Sequence, residues 1–173
     1  MDNKNSHISN FAGILAQNVT RGSELYDGIP MACMSPQRRG IVIEQIARSS
    51  EAVPTADPEK TSRSRSPYDW LREEGARVEC KSAQLTWNRG WLVHFKNIKR
   101  DKYDVLILCL YLPRGILIFE CFGDVPLYGQ GTVQKAKGEC LQLRAGKVES
   151  EDAIASIIAK LLVFSKQTMS ISF

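Results

Sequence analysis

Val105-Leu106-Ile107-Leu108-Cys109-Leu110-Tyr111-Leu112 is the longest apolar run in the chain, closed by Asp104 before it and by Pro113-Arg114-Gly115 after it. Eight residues are too few to span a bilayer. They are also too uniformly apolar for a strand with one wet face, so the run demands cover on both sides. It predicts a central strand in a layered protein. Pro113-Arg114-Gly115 then reads as a turn into a second apolar strand over 116–122.

The remaining periodicities supply the layers. Ser35-Pro36 offers an N-cap and a proline at the first helical position, and Ile41, Val42, Ile43, Ile46 and Ala47 make a packing stripe, which predicts a helix over about 36–49. Ser150-Glu151-Asp152 opens a second helix over about 150–164, with Ile154, Ile157, Ile158, Leu161 and Leu162 as its buried face. Between the helices, 68–71 and 77–85 form a hairpin about the turn at Glu73-Glu74-Gly75, and 91–95 follows the turn signal Asn88-Arg89-Gly90. Residues 96–102 read as a short helical or irregular connection, and 139–144 as an edge strand. Helix, several strands, helix predicts an α/β sandwich with a mixed sheet. Its length of 173 residues suits one domain, 35–173, preceded by an arm over 1–34 whose glycines and Pro30 break any long element. The stretch 49–66, with Pro54, Pro58 and a Ser/Thr cluster, reads as a long loop.

Five cysteines, an odd number without CxxC or zinc spacing, read as reduced buried thiols. No charged start followed by an apolar core marks a secretory leader, so an intracellular protein without a membrane span is expected. The net charge of +4 is concentrated in one region. Residues 35–102 hold fourteen Lys/Arg and nine Asp/Glu, giving +5, against −1 for 1–34 and 0 for 103–173. A basic rim of this kind draws phosphate toward whatever acids it surrounds.

The acids in that zone form a pattern. In Arg77-Val78-Glu79-Cys80-Lys81, alternation puts Glu79 and Lys81 on one strand face and Val78 and Cys80 on the other. The hairpin brings Asp69 to the same place. Asp69, Glu79 and the Cys80 backbone carbonyl are three hard oxygen donors of the kind that suit magnesium, with manganese as a substitute. A lysine two residues from Glu79 can orient or deprotonate an attacking water and offset transition-state charge. Glu44, on the preceding helix, is placed to complete a second metal site.

Glu44, then Pro67-Tyr68-Asp69, then Glu79-Cys80-Lys81 resembles the PD-(D/E)xK nuclease superfamily, over roughly residues 36–122. The resemblance implies a restriction-endonuclease-like α/β core of helix, three-stranded meander, helix and further strand. It implies metal-dependent hydrolysis of DNA phosphodiesters, with Asp69, Glu79 and Lys81 as the catalytic set and Glu44 as an accessory acid. Two departures stand out: Tyr68 separates the proline from the aspartate, and no long helix is evident between the third and fourth strands. Arg38, Arg39, Arg63, Arg65, Lys96, Lys99, Arg100 and Lys102 are the expected phosphate contacts, and Gln84, which alternation turns to the opposite face, a further contact to substrate. Trp87 and Trp91 suit either core packing or stacking on unpaired bases. His94 suits either a structural role or contact with water or phosphate. Many nucleases that cut both strands act as dimers, so a homodimer or higher homo-oligomer is expected. The second reading is a non-catalytic nucleic-acid-binding or assembly module that keeps the same fold.

Overall fold

The structure is a computed structural model and describes residues 23–50, 68–129 and 138–173. The expected loop from residue 51 to 66, Pro67, Arg63 and Arg65 lie outside the described residues, as does the expected arm before residue 23. The chain forms α1 (Pro36–Ser49), β1 (Trp70–Leu71), β2 (Arg77–Gln84), β3 (Thr86–Trp87), β4 (Trp91–Ile98), β5 (Val105–Leu112), β6 (Gly115–Cys121), β7 (Tyr128–Gly129), β8 (Glu139–Gly146), α2 (Ser150–Leu161) and β9 (Ser165–Ser172). One sheet has the order β1-β2-β5-β6-β9 and the other the order β3-β4-β8-β7. The first is mixed, because β2 and β5 are parallel and the other pairs antiparallel.

The apolar run is β5, and it is central, as its composition demands. Leu106, Leu108 and Leu110 face one way, with Phe119 of β6, Val93 and Phe95 of β4, Leu141 and Leu143 of β8, and Ala153, Ile157 and Leu161 of α2. Ile107, Cys109 and Tyr111 face the other way, beside Val78 and Cys80 of β2, under Ile43 and Ala47 of α1 and over Trp70, Tyr26 and Met31. Alternation along one strand thus separates two cores, one under each face of the five-stranded sheet. Each Leu among these that is less than 2% exposed stabilises the fold by roughly 1.5–3 kcal/mol relative to exposure.

Local signals set the boundaries. Ser35 caps α1, its Oγ accepting the Arg38 N–H at 3.3 Å, with Pro36 at the first helical position. At the β5–β6 turn, a side chain on Gly115 would place its Cβ 2.0 Å from the Ile171 carbonyl oxygen, so only glycine lets β9 approach β6 there. β4 bulges between Phe95 and Ile98, where Asn97 takes a left-handed φ of 60°.

Several elements differ from expectation. Lys96-Asn97-Ile98 extends β4 rather than the connection, leaving Arg100–Lys102 as a single 3-10 turn. β8 is not an outer strand at its start: Cys140 and Glu139 pair with Tyr128 and Gly129 of β7, although from Leu141 onward that side carries no ladder among the described residues. The helix over 150–164 ends at Leu161, with Leu162 47% exposed, because the chain turns there into β9. β9 was not anticipated, since its mostly polar sequence, Ser165-Lys166-Gln167-Thr168-Met169-Ser170-Ile171-Ser172, gains order only from pairing along β6. Part of the expected arm is integral to the fold. Tyr26, 5% exposed, donates its hydroxyl to the Tyr111 carbonyl at 3.0 Å and accepts the Leu85 N–H at 3.0 Å. No helix among the described residues is long and apolar enough to cross a membrane.

The parallel β2–β5 pair requires a crossover, and here β3, β4 and the 3-10 turn make it, with no α-helix between those strands. The helix that the resemblance implies between its third and fourth strands is therefore not present at this point. β4 covers the sheet instead, with Trp91, Val93 and Phe95, and past the bulge Ile98, in the core.

Candidate active site at the open edge of β2

β1 pairs with β2 only at Trp70↔Val78 and Leu71↔Arg77, so from Glu79 onward β2 has no ladder partner on that side among the described residues. Asp69 stands where the ladder stops. Its N–H donates to the Val78 carbonyl at 2.8 Å, and its Oδ2 accepts the Cys80 N–H at 2.7 Å. A strand residue sends its N–H and C=O to the same side, so the Cys80 carbonyl faces the same open edge as the Asp69 carboxylate. The side chain of Asp69 thereby extends a ladder that the backbone of β1 leaves unfinished.

Glu79 is the buried acid of the group at 6% exposure, and its Oε1 forms an ion pair with Lys81 Nζ. Alternation accounts for the pairing, because residues two apart on one strand share a face. Burial pushes the Glu79 carboxyl above its ordinary value; Lys81 and Lys99 act against this and the Asp69 charge adds to it. Burial raises Asp69 as well, opposed by the Cys80 N–H and Lys81. For Lys81, burial works to lower the ammonium, but Glu79, with Asp69 behind it, more than offsets that and holds it above its ordinary value. Two carboxylates that resist ionisation thus face one lysine that resists losing its proton.

The structure brings Asp69, Glu79, Cys80 and Lys81 together. Glu44 approaches from the helix side: it and Asp69 both act on the Cys80 thiol, whose pKa is raised first by its contact with Cys109 Sγ at 3.7 Å and then by burial. Among the described residues no three Asp, Glu, His or Cys side chains converge as a ligand set. Asp69 and Glu79 with the Cys80 carbonyl nevertheless make a hard oxygen set, and magnesium is ordinarily held by one or two carboxylates completed by water and phosphate. A cation there would also relieve the repulsion between the two carboxylates, so the residues fit a divalent ion.

The basic residues divide into engaged and open groups. Arg100 is held by Glu139 at 2.9 Å and by the Val125 carbonyl at 2.9 Å, and Lys102 by Asp101 at 3.1 Å. Lys99, just past the β4 bulge, is close enough to favour the ionised form of Glu79. Arg38 is exposed at the start of α1. Arg39, Gln84, His94 and Lys96 line a groove of about 410 Å3 between α1, the end of β2 and the outer face of β4. Gln84 is on the face opposite Glu79 and Lys81, as alternation requires. His94 stacks on Tyr128 with its Nε2 3.2 Å from the Tyr128 hydroxyl, and burial, reinforced by Lys96 and Arg144, holds its pKa below the ordinary value.

The tryptophans pack against each other. Their rings meet edge-on at 5.1 Å, and Trp91, 6% exposed, donates its Nε1–H to the Val148 carbonyl at 2.8 Å. Base stacking is therefore not the use of Trp91. Tyr111 is the residue of the groove that sequence reasoning missed, because a tyrosine inside an apolar run reads as core. Only its pairing with Gln84 across β2 and β5 shows what it adjoins.

Fold and cluster together define a mixed α/β protein with one buried carboxylate, one half-buried carboxylate and a half-buried ammonium at an open strand edge. No family model, no curated protein and no solved structure matches the chain.

Proposed function

We propose that this protein is a divalent-metal-dependent nuclease that hydrolyses DNA phosphodiester bonds at Asp69, Glu79 and Lys81. The observation that carries the reading is the convergence of those three side chains at an edge where the backbone is also open. Ordinary packing does not require it, since burying Glu79 and partly burying Asp69 and Lys81 beside it costs desolvation that apolar residues would not. The restriction-endonuclease-like fold belongs to the same proposal; the mixed sheet and the helix before it agree with it, and the strand crossover is this chain's own variation.

A bound magnesium or manganese ion would supply Lewis acidity toward the phosphate and lower the pKa of water. Asp69 and Glu79 would hold that ion, and the Cys80 carbonyl would add a third oxygen. Lys81, kept as an ammonium, is a donor rather than a base: it orients the attacking water and stabilises the charge that develops on phosphorus oxygens. Water adds to phosphorus as the bond to the leaving 3′ oxygen breaks; the proton that the water loses passes to bulk solvent and the 3′ oxygen takes one from solvent, so the products are a 5′-phosphate and a 3′-hydroxyl. Lys96, Lys99, Arg38 and Arg39 draw the backbone toward the edge through charge alone.

The test is cleavage of linear duplex, single strand, flap and four-way junction with magnesium or manganese. Wild type should cut at least one of them, and Lys81→Ala should lose about 10²–10⁴-fold in rate while keeping its binding. Equal cutting by the two proteins would remove the mechanism. One observation favours the second reading, a binding module without catalysis: Glu79 and Lys81 are closed on each other as an ion pair. Tight DNA binding with no cutting across that panel would select it.

A further inference from the structure

Of all the polar side-chain atoms on the described residues, two are buried without a hydrogen-bond partner, Gln84 Oε1 and Tyr111 Oη. They belong to residues paired in register across β2 and β5, and both residues line the same groove. An orphaned buried polar atom costs about 1–3 kcal/mol, so two side by side are not expected of a wall that only packs. Above them the Arg39 guanidinium lies 5.5 Å from the centroid of the Tyr111 ring. Across the groove β4 contributes Lys96 and the imidazole of His94, while Asn88 and Gln142 add amides. The walls therefore offer cations for an anion, and the floor offers an amide oxygen and a phenol hydroxyl that lack partners.

These features belong to one ligand chemistry, a phosphate attached to a heterocycle that both donates and accepts hydrogen bonds. We infer that the groove binds one nucleotide of a nucleic-acid strand, its phosphate taken by Arg39 and Lys96 and its base edge read by Gln84 and Tyr111. The inference rests on the nuclease reading for its choice of a strand rather than a free metabolite. The volume of about 410 Å3 is in the range of small-ligand sites. Gln84 lies four residues beyond Cys80 on β2, about 13 Å along the strand, so the groove would hold a nucleotide near the one being cut. A glutamine amide pairs well with the adjacent donor and acceptor of an adenine edge, which makes adenine the expected preference. When the phosphate draws Arg39 away from the Tyr111 ring, the hydroxyl beneath becomes reachable.

The experiment is a titration of the full chain in EDTA with each of the four 2′-deoxynucleoside 5′-monophosphates and with inorganic phosphate, followed by calorimetry and by amide NMR. Deoxyadenosine monophosphate should bind at least about fivefold more tightly than the other three, consistent with discrimination by a bidentate contact, and should shift the Gln84 side-chain amide. Tyr111→Phe should weaken it about 5–10-fold, the loss of one hydrogen bond, and Gln84→Leu at least as much, the loss of a bidentate contact, while thermal melting shows both variants folded. No binding by any nucleotide, inorganic phosphate binding as tightly as the nucleotides, or unchanged affinity in both groove variants would each overturn the inference. Because metal is absent, the outcome is separate from catalysis. A protein that cuts DNA but binds no nucleotide in EDTA loses the groove and keeps the nuclease reading; one that binds but never cuts does the reverse.

Discussion

The two faces of β2 near its open edge carry two polar clusters that solve burial differently. On one face Glu79 and Lys81 are charged and satisfy each other, while Asp69 beside them is also stabilised by Lys81 but repels Glu79. On the other, Gln84 and its neighbour Tyr111 are neutral and unsatisfied, under a guanidinium that stacks without bonding to either orphan. The charged group is strongly coupled, so removing one member harms the rest. The neutral pair is loosely coupled, so removing one member relieves a cost. A site built to hold charge and a site built to await a partner differ in this response.

The largest test of that contrast is Lys81→Ala. It leaves Glu79 buried without its cation and should destabilise the protein by about 2–3 kcal/mol in urea unfolding. Adding Glu79→Gln to Lys81→Ala should recover most of that stability and none of the cleavage. A double variant as unstable as the sum of the two singles would show that the pair is not coupled.

Metal comes next. Magnesium at ten times its dissociation constant should stabilise wild type by about 1.4 kcal/mol, read as a rise in Tm, and Asp69→Asn should abolish the rise. An equal rise in Asp69→Asn would place the ion elsewhere. In the neutral cluster, Tyr111→Phe should leave stability unchanged or raise it by up to about 1 kcal/mol, because the orphaned hydroxyl goes and the ring stays. A loss greater than about 1 kcal/mol would mean that the hydroxyl has a partner in solution.

The smallest effect concerns pH and sets the charged cluster against an ordinary ion pair. The Arg72 guanidinium, 2.7 Å from Glu120, holds the Glu120 carboxyl below its usual range. Its contribution is present above the unfolded carboxylate range and is lost as pH falls through the lowered folded value. Asp69 and Glu79 are raised, so the sign reverses: without metal, their share of stability grows as pH falls through the raised folded values toward the unfolded ones. Glu120→Gln should flatten the acid limb by about 0.5–1 kcal/mol, and Glu79→Gln should remove part of the opposing gain. Acid unfolding profiles of the two variants that shift in the same direction would contradict the assignment.

Much of this arrangement was legible in the residues themselves. Val105–Leu112 had to be central because eight apolar side chains in alternation need cover on both faces, and it is. Ser35-Pro36 started α1, and Glu151 and Asp152 lie in the first turn of α2 as expected, but Ser150 is its first helical residue and not its cap, the N-cap position being Glu149 without a side-chain bond. Glu79 and Lys81 shared a face, and Gln84 lay opposite, because strand alternation is geometric. β9 was not legible: nothing in its polar sequence marks it as a strand, and it exists because β6 offers an edge. Trp91 was ambiguous until its indole met the Val148 carbonyl, 57 residues away in sequence.

By itself, then, the sequence determined the local and the periodic: where helices begin, which strand lies deepest, and which side chains of β2 share a face. These follow from steric and capping preferences within a few residues. Only the tertiary structure decided that β1 stops after two paired residues, leaving the edge where Asp69 bonds to Cys80, that a strand rather than a helix crosses between β2 and β5, and that Tyr111 meets Gln84 beneath Arg39. Those facts depend on register and on contacts between distant segments, and their energies are settled only when both partners are buried together.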